Sequence, residues 1–423
     1  MTQLELPYGP GTLSVNIPDI ALGEVVSPRT VAAAASPKAV IDTALNQPIG
    51  TPRLAQLVQR GQTVAVIIDD ITRETPTALM LPTILDRLLT AGINRQDIRI
   101  VIALGTHRPL TEVEIISKTG ATIAAEFEIV NVSCYDESQM VFMGTSSNGI
   151  PAWINRAVAE ADVRIGVGMI TPHMDAGYSG GAKIVLPGVC SGLTVDAFHA
   201  READISVNQL GNINSPTRRD LEQFVGERIG LDFIVNAILT RDDKIYQCVA
   251  GDFIEAHRVG VRLAQEVYGV PVAKRYPLVI ANAFPAQIDL WQSSKGIWCG
   301  DLLACDGGTV ILISHAVEGN SVYPRFVEYI GQDPDVLKRR LDAGQAEDPK
   351  TCAIAILMGR MKRRLKFGLV SEGLGQVEAD LMGFTYYQSV EEAIEAELNG
   401  RRREQSIGVL THAGVTLPMV ASN

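Results

Sequence analysis

At 423 residues, 46% hydrophobic and 20% charged, the chain is long enough for two α/β domains whose cores need no disulfide or metal staple. Its net charge of −11 excludes the basic stripe of a general nucleic-acid binder, while leaving room for small anions held by two or three local cations. No run nears the roughly 20 apolar residues of a membrane span, the amino terminus lacks signal-peptide order, and the cysteines are scattered without a C-x-x-C pair, so a reduced, cytoplasmic enzyme is expected.

The first expected strand, 63–68 (TVAVII), stops at Asp69-Asp70 ahead of an amphipathic helix from about Ala78 to Ala91. In DDITRETPT (69–77), the Asp pair and Arg73 suit a nucleotide and a substrate carboxylate, which a planar guanidinium meets with two parallel hydrogen bonds. The other reading is a turn whose Asp and Thr cap the next helix. The next strand, 98–104 (IRIVIAL), ends in GTHR, and Thr111 to Glu114 reads as a capping box. His107 there is a general base or an ordinary surface histidine, and Arg108 a site cation or a solvated loop charge.

A third strand, 163–170 (VRIGVGMI), leads into TPHMDAGYSGGAKIVLPGV (171–189), which holds His173. Gly177, Gly180 and Gly181 surround Ser179 and precede Lys183, so backbone N–H groups can wrap a phosphate. This is no Walker A loop, because Ala182 separates Gly181 from Lys183 and Ile184 replaces the hydroxyl residue. GVGMIT likewise lacks the third glycine of a dinucleotide fingerprint. Lys183 is a phosphate contact, a covalent amine anchor, or an ordinary lysine of a glycine-rich turn. His199, in FHARE, sits in a helix or tight loop and taken alone reads as a satisfied structural histidine.

An amphipathic helix around 252–268 carries His257, which is expected to be structural. Glycine and two prolines then break the chain at 268–277, placing a hinge near residue 272. The strand LVIANAF follows, and then DLWQSSKG, where Gln292 and Lys295 share a face if the segment opens a helix. A helix start there favours an anion; the alternative is a capped surface helix. Strands at 307–314 and 406–410 complete this part, with His315 and His412 after them as second-rank cleft candidates.

These continuously apolar runs alternating with helices predict an α/β protein. Two α/β domains, 1–271 and 272–423, with largely parallel sheets are expected to flank an interdomain cleft. Ligands of such sheets bind outside the carboxyl ends of the strands, where Asp70, Arg73, His107, Arg108, His173, Gln292 and Lys295 all fall.

Taken in order, DDITR, GTHR, TPHMDAGYSGGAKIVLPG, FHARE and WQSSKG, from about 70 to 296, resemble the nickel-pincer-nucleotide lactate racemase family. The resemblance implies a racemase or epimerase of 2-hydroxy acids. The α-hydrogen of such an acid is poorly acidic, and the family moves it as hydride to the cofactor and back through a 2-keto acid. The implied cofactor is the nickel complex of pyridinium-3,5-bisthiocarboxylic acid mononucleotide, which holds nickel through S, C and S donors and is supplied by cofactor-making enzymes. By motif position, His199 is the protein ligand to nickel and Lys183 the lysine able to form a thioamide. Asp70, Thr72, Ser179, Gly180 and Gly181 are the further cofactor candidates. His107 and His173 serve as acid/bases for the two enantiomers, Arg73 and Lys295 clamp the carboxylate, and Gln292 orients the substrate.

Trp291 stands where lactate racemases tend to have tyrosine, and Trp298 is close by, so the pocket wall departs from the family pattern. Lactate, malate, larger hydroxy acids and sugar acids stay open, with Arg108 available for a second carboxylate. Two other classes were weighed. A metal-dependent hydrolase lacks any H-E-x-x-H or clustered ligand motif. A non-catalytic cofactor-storage protein would have no use for both His107 and His173.

Overall fold

The apolar runs become the inner strands of two six-stranded sheets in a computed structural model that describes residues 1–320, 323–399, 404 and 406–421. The first sheet runs Ile245–Gly251, Phe233–Leu239, Val163–Met169, Val64–Asp69, Ile98–Ala103, Glu128–Val130, parallel except at its Ile245–Gly251 edge. Val64–Asp69 is buried at every residue. Its Val64, Val66 and Ile68 enter one core while Ala65 and Ile67 enter another, as a strand covered on both faces requires.

The second sheet runs Thr385–Tyr386, Lys366–Ser371, Ala304–Ser314, Tyr276–Asn282, Ile407–Leu410, Leu22–Val26, parallel throughout. Here Val279 and Ala281 face one core, and Leu278 and Ile280 the other. The expected division at residue 272 needs one correction: Leu22–Val26, the third strand of the chain, pairs with Ile407–Leu410 and so lies in the second sheet rather than the first. LGEVV is short and carries a glycine and a glutamate, so nothing local announces a partner so far along the chain. Near the expected hinge, Gly269–Val272 pairs in parallel with Leu417–Val420.

The expected helix after Asp70 forms at Thr77–Thr90, and Thr111 caps Glu112–Thr119 through reciprocal bonds with Glu114. One core joins the two parts: Met174, Ala203 and Ile205 pack with Trp291, Trp298 and Phe326. Among the described residues no helix is long and apolar enough to cross a membrane.

Candidate active site

A cavity opens over the carboxyl ends of the first sheet, lined among others by Asp70, Arg73, His107, Ser179, Gly180 and Lys183. Its glycine loop is tightly built. Gly180 and Gly181 have φ of 73° and 58°, the left-handed region in which a side chain is strained. A Cβ on Gly180 would also come within 2.8 Å of Ile170 and 2.9 Å of Asn236. The Ser179 hydroxyl donates to Met169 O and accepts from Thr171 N, each at 2.9 Å, and Gly181 N donates to Asn236 Oδ1 at 2.9 Å. Those groups hold the loop, so Ser179 lines the cavity with its hydroxyl already engaged.

His257, as expected, is structural: its Nε2 donates to Ser179 O at 2.8 Å. Arg218, which the sequence reading passed over, is fully buried and fastens the same loop by donating to Ala176 O at 3.0 Å and to Tyr178 O.

His107 and Gln292 join the two parts of the chain. His107 Nδ1 lies 2.6 Å from Asp70 Oδ2, and Thr72 Oγ1 donates to Asp70 Oδ1 at 2.6 Å. Burial would raise the Asp70 carboxyl, but His107, Arg73 and the Thr72 hydroxyl together hold it well below the usual range. An ionised carboxylate only accepts, so Nδ1 carries the proton and Nε2 presents its lone pair. Gln292 Nε2 donates to that lone pair at 3.2 Å, and Lys295 Nζ donates to Gln292 Oε1 at 2.7 Å. Arg73 leans on Thr72 Oγ1 at 2.9 Å, and its charge is felt at Asp70, His173, Lys183 and Lys295, which places these groups around one cleft. Burial first, then Arg73, pushes Lys295 down to about 7.

His173 ends the two-residue strand Pro172–His173, paired with Gly177–Tyr178. Burial, then Lys183, Lys295 and Arg73, lowers it well below the ordinary histidine value, so it is neutral. Its Nδ1 accepts from Asp175 N at 3.2 Å, which leaves the proton on Nε2. The two histidines are therefore held in opposite tautomers.

His199 lies near the end of helix Gly192–Ala200, its Nδ1 2.9 Å from Glu202 Oε2. Burial above all, with Lys183 and Lys350, pushes it down to about 3. Candidate ligand atoms of Asp175, His199 and Glu202 lie within 4.8 Å of one another. Burial lifts Asp175 to about 7 and Glu202 to about 8, and one oxygen of each, Asp175 Oδ1 and Glu202 Oε1, has no hydrogen-bond partner. Lys183 is lowered to about 8 by burial against the pull of these carboxylates. Asp175 and Glu202 escaped the sequence reading, although each follows a singled-out histidine by two or three residues. Lys118 escaped it too: it pairs with buried Asp69 at 2.8 Å and donates to Arg73 O at 2.9 Å.

Three expected candidates are engaged outside this network. Arg108 shares a pocket with Asp70, Thr72, His107 and Gln292, but its guanidinium is held by Glu114 through two bonds of 2.8 Å and is exposed. His315 stacks edge-on against Tyr8 with Glu372 3.5 Å away, and His412 bonds Thr411 Oγ1 at 2.8 Å beside Phe284. Trp291 packs on Tyr323 and Phe326, whereas Trp298 is buried in the core between the two parts.

Residues 8–210 match the model of the lactate racemase N-terminal domain. Similar proteins include the lactate racemase of Lactiplantibacillus plantarum, 33% identical over 76% of each chain. That of Thermoanaerobacterium thermosaccharolyticum is 30% identical over 82% of this chain and 83% of its own. The solved lactate racemase apoprotein from T. thermosaccharolyticum superposes with a TM-score of 0.87 at 27% identity, covering 99% of this chain and 100% of the other. A Thermotoga maritima protein, 17% identical, shares the fold with a TM-score of 0.71 over 92% of this chain and 100% of its own.

Proposed function

The chain belongs to the lactate racemase family of isomerases, and from that premise we propose that it inverts the α-carbon of a 2-hydroxy acid through a 2-keto acid, with His107 and His173 as its two acid/bases. The observation that carries this reading is the pair of imidazoles in opposite tautomers, one offering a lone pair at Nε2 and the other a proton. Inversion needs both: a group to take the hydroxyl proton as the ketone forms, and another to return one when the ketone is reduced from its other face.

The residues present fit a nickel-pincer nucleotide. His199 directs Nδ1 to Glu202, as ligating histidines commonly direct their second nitrogen to a carboxylate, leaving Nε2 for a metal. Asp175 and Glu202 each offer an unpartnered oxygen beside it, and Lys183 provides an amine for phosphate contact or a thioamide bond. Asp70, Ser179 and Gly180 line the cavity with Lys183, and with Thr72 and Gly181 beside them they are the remaining candidates for cofactor contact. When bound, the nucleotide supplies an acceptor that takes the α-hydrogen as hydride and returns it.

The chain's own residues do the rest. Arg73 and Lys295 bind the substrate carboxylate, and the substrate hydroxyl takes the place of the Gln292 amide at His107 Nε2. His107 accepts that proton, its imidazolium steadied by Asp70. His173 delivers its Nε2 proton to the ketone oxygen as Nδ1 takes one from the protonated Asp175 carboxyl, whose Oδ2 closes in from 3.7 Å, so that the ring stays neutral. Run backwards, the roles exchange.

The test is intact-mass and metal analysis of protein produced alongside cofactor-making enzymes, followed by a chiral assay over a panel of 2-hydroxy acids. Stoichiometric nickel, a nucleotide mass increment and drift of a pure enantiomer towards a mixture are expected. Loaded protein that leaves every enantiomer unchanged sinks the reading.

A further inference from the structure

Arg73 and Lys295 suffice for one substrate carboxylate, yet another buried lysine packs on Thr106 and Trp291, the chain neighbours of His107 and Gln292. Lys350 is 2% exposed and sits in the first turn of helix Pro349–Lys362, where the helix's positive end disfavours a cation. Its Nζ donates to Thr106 Oγ1 at 2.7 Å, next to His107. It also lies 3.3 Å and 4.5 Å from the ring centroids of Tyr323 and Trp291, the second next to Gln292. Its charge reaches His199. Lys350 therefore abuts both segments that carry the acid/base network.

Burial lowers Lys350 to about 7 despite the charges of Asp348, Asp196 and Asp289, none of which is paired with its ammonium. Asp348 caps the helix by accepting from Thr351 N at 3.1 Å, and Asp196 accepts from the Lys350 backbone N–H. Among the described residues no carboxylate oxygen comes within 4.0 Å of the ammonium. One hydroxyl and two ring faces return only part of the hydration that a buried ammonium gives up. An anion would return the remainder.

Resting on the racemase reading above, we propose that Lys350, with the hydroxyls of Thr106 and Tyr323, binds a second carboxylate, so that the substrate is a short 2-hydroxy dicarboxylic acid. Thr106 directly precedes His107, so the second carboxylate would rest on the loop that carries the base. The Thr106 hydroxyl also lies 2.6 Å from Tyr323 OH, so ammonium and hydroxyls converge on one spot. Arg108, the cation that the sequence offered for this task, is already held by Glu114.

The test uses nickel-loaded wild type, Lys350→Met and Lys350→Arg, with equilibrium binding and chiral turnover both measured. The probes are a short 2-hydroxy dicarboxylate, the 2-hydroxy monocarboxylate of equal chain length, and a polyhydroxy monocarboxylate. Wild type is expected to favour the dicarboxylate in Kd and in kcat/KM. Lys350→Met should lower the dicarboxylate-to-monocarboxylate kcat/KM ratio by about 100-fold, mostly through KM, with Lys350→Arg recovering much of it. A wild type that prefers either monocarboxylate overturns the assignment, as does a Lys350→Met loss equal for all three acids. Selective, Lys350-dependent dicarboxylate binding without inversion of any acid would uphold the second-carboxylate site and reject the racemase reading. Inversion of the monocarboxylates alone would do the reverse.

Discussion

Both sheets end strands in histidine-bearing loops, yet in the mechanism proposed above only histidines of the first part of the chain do chemistry. His107 has an ionised carboxylate on one nitrogen and a cleft-facing amide on the other, and His173 and His199 each have Nδ1 fixed by a neighbouring group. His315 and His412, at corresponding strand ends of the second sheet, rest edge-on against aromatic rings with local or exposed partners. A histidine's place at a strand end thus says little; what holds its other nitrogen, and which way that leaves the proton, decides its use.

Substitution tests this contrast most severely at the histidines themselves. In cofactor-loaded enzyme, His107→Ala or His173→Ala should lower racemisation by up to about 10⁴-fold while nickel content persists. His315→Ala and His412→Ala should leave turnover near wild type, and a large loss from either would break the contrast. Next comes the carboxylate that sets the His107 tautomer: Asp70→Asn should lower kcat about 100-fold in the chiral assay, because an amide can donate to Nδ1 and reverse the ring. At the metal side, Glu202→Gln should weaken nickel retention on dialysis by about 10-fold to 100-fold, with His199→Ala more severe.

The mildest expected effect is one of pH. Lys295 is pushed down to about 7, so its charged form is lost as pH rises through that value. KM should then climb, by up to about tenfold per pH unit, and Lys295→Arg should flatten the rise because a guanidinium stays charged.

Much of the catalytic end of the first sheet was legible in the sequence, because parallel strands buried on both faces read as unbroken apolar runs and their ends are where side chains become free to act. Gln292 and Lys295 were legible for a related reason: a spacing of three at a helix start brings the two side chains into contact. Leu22–Val26 was not, since its partner strand is distant in the chain and its own residues carry little strand signal. Arg108 misled because a loop cation's usefulness depends on whether a nearby carboxylate has claimed it, as Glu114 has. Lys350 was invisible for the opposite reason. It opens an ordinary helix far from every motif, and only the packing of that helix against Thr106, Trp291 and Tyr323 brings it to the site.

The most direct test of two-histidine hydride chemistry is the fate of the α-hydrogen. A single enantiomer of an α-deuterated 2-hydroxy acid, incubated in ordinary water with the nickel-loaded chain, should yield its mirror image with the deuterium retained at the α-carbon. Deuterium lost to solvent in the inverted product, or no inversion at all, would contradict the account.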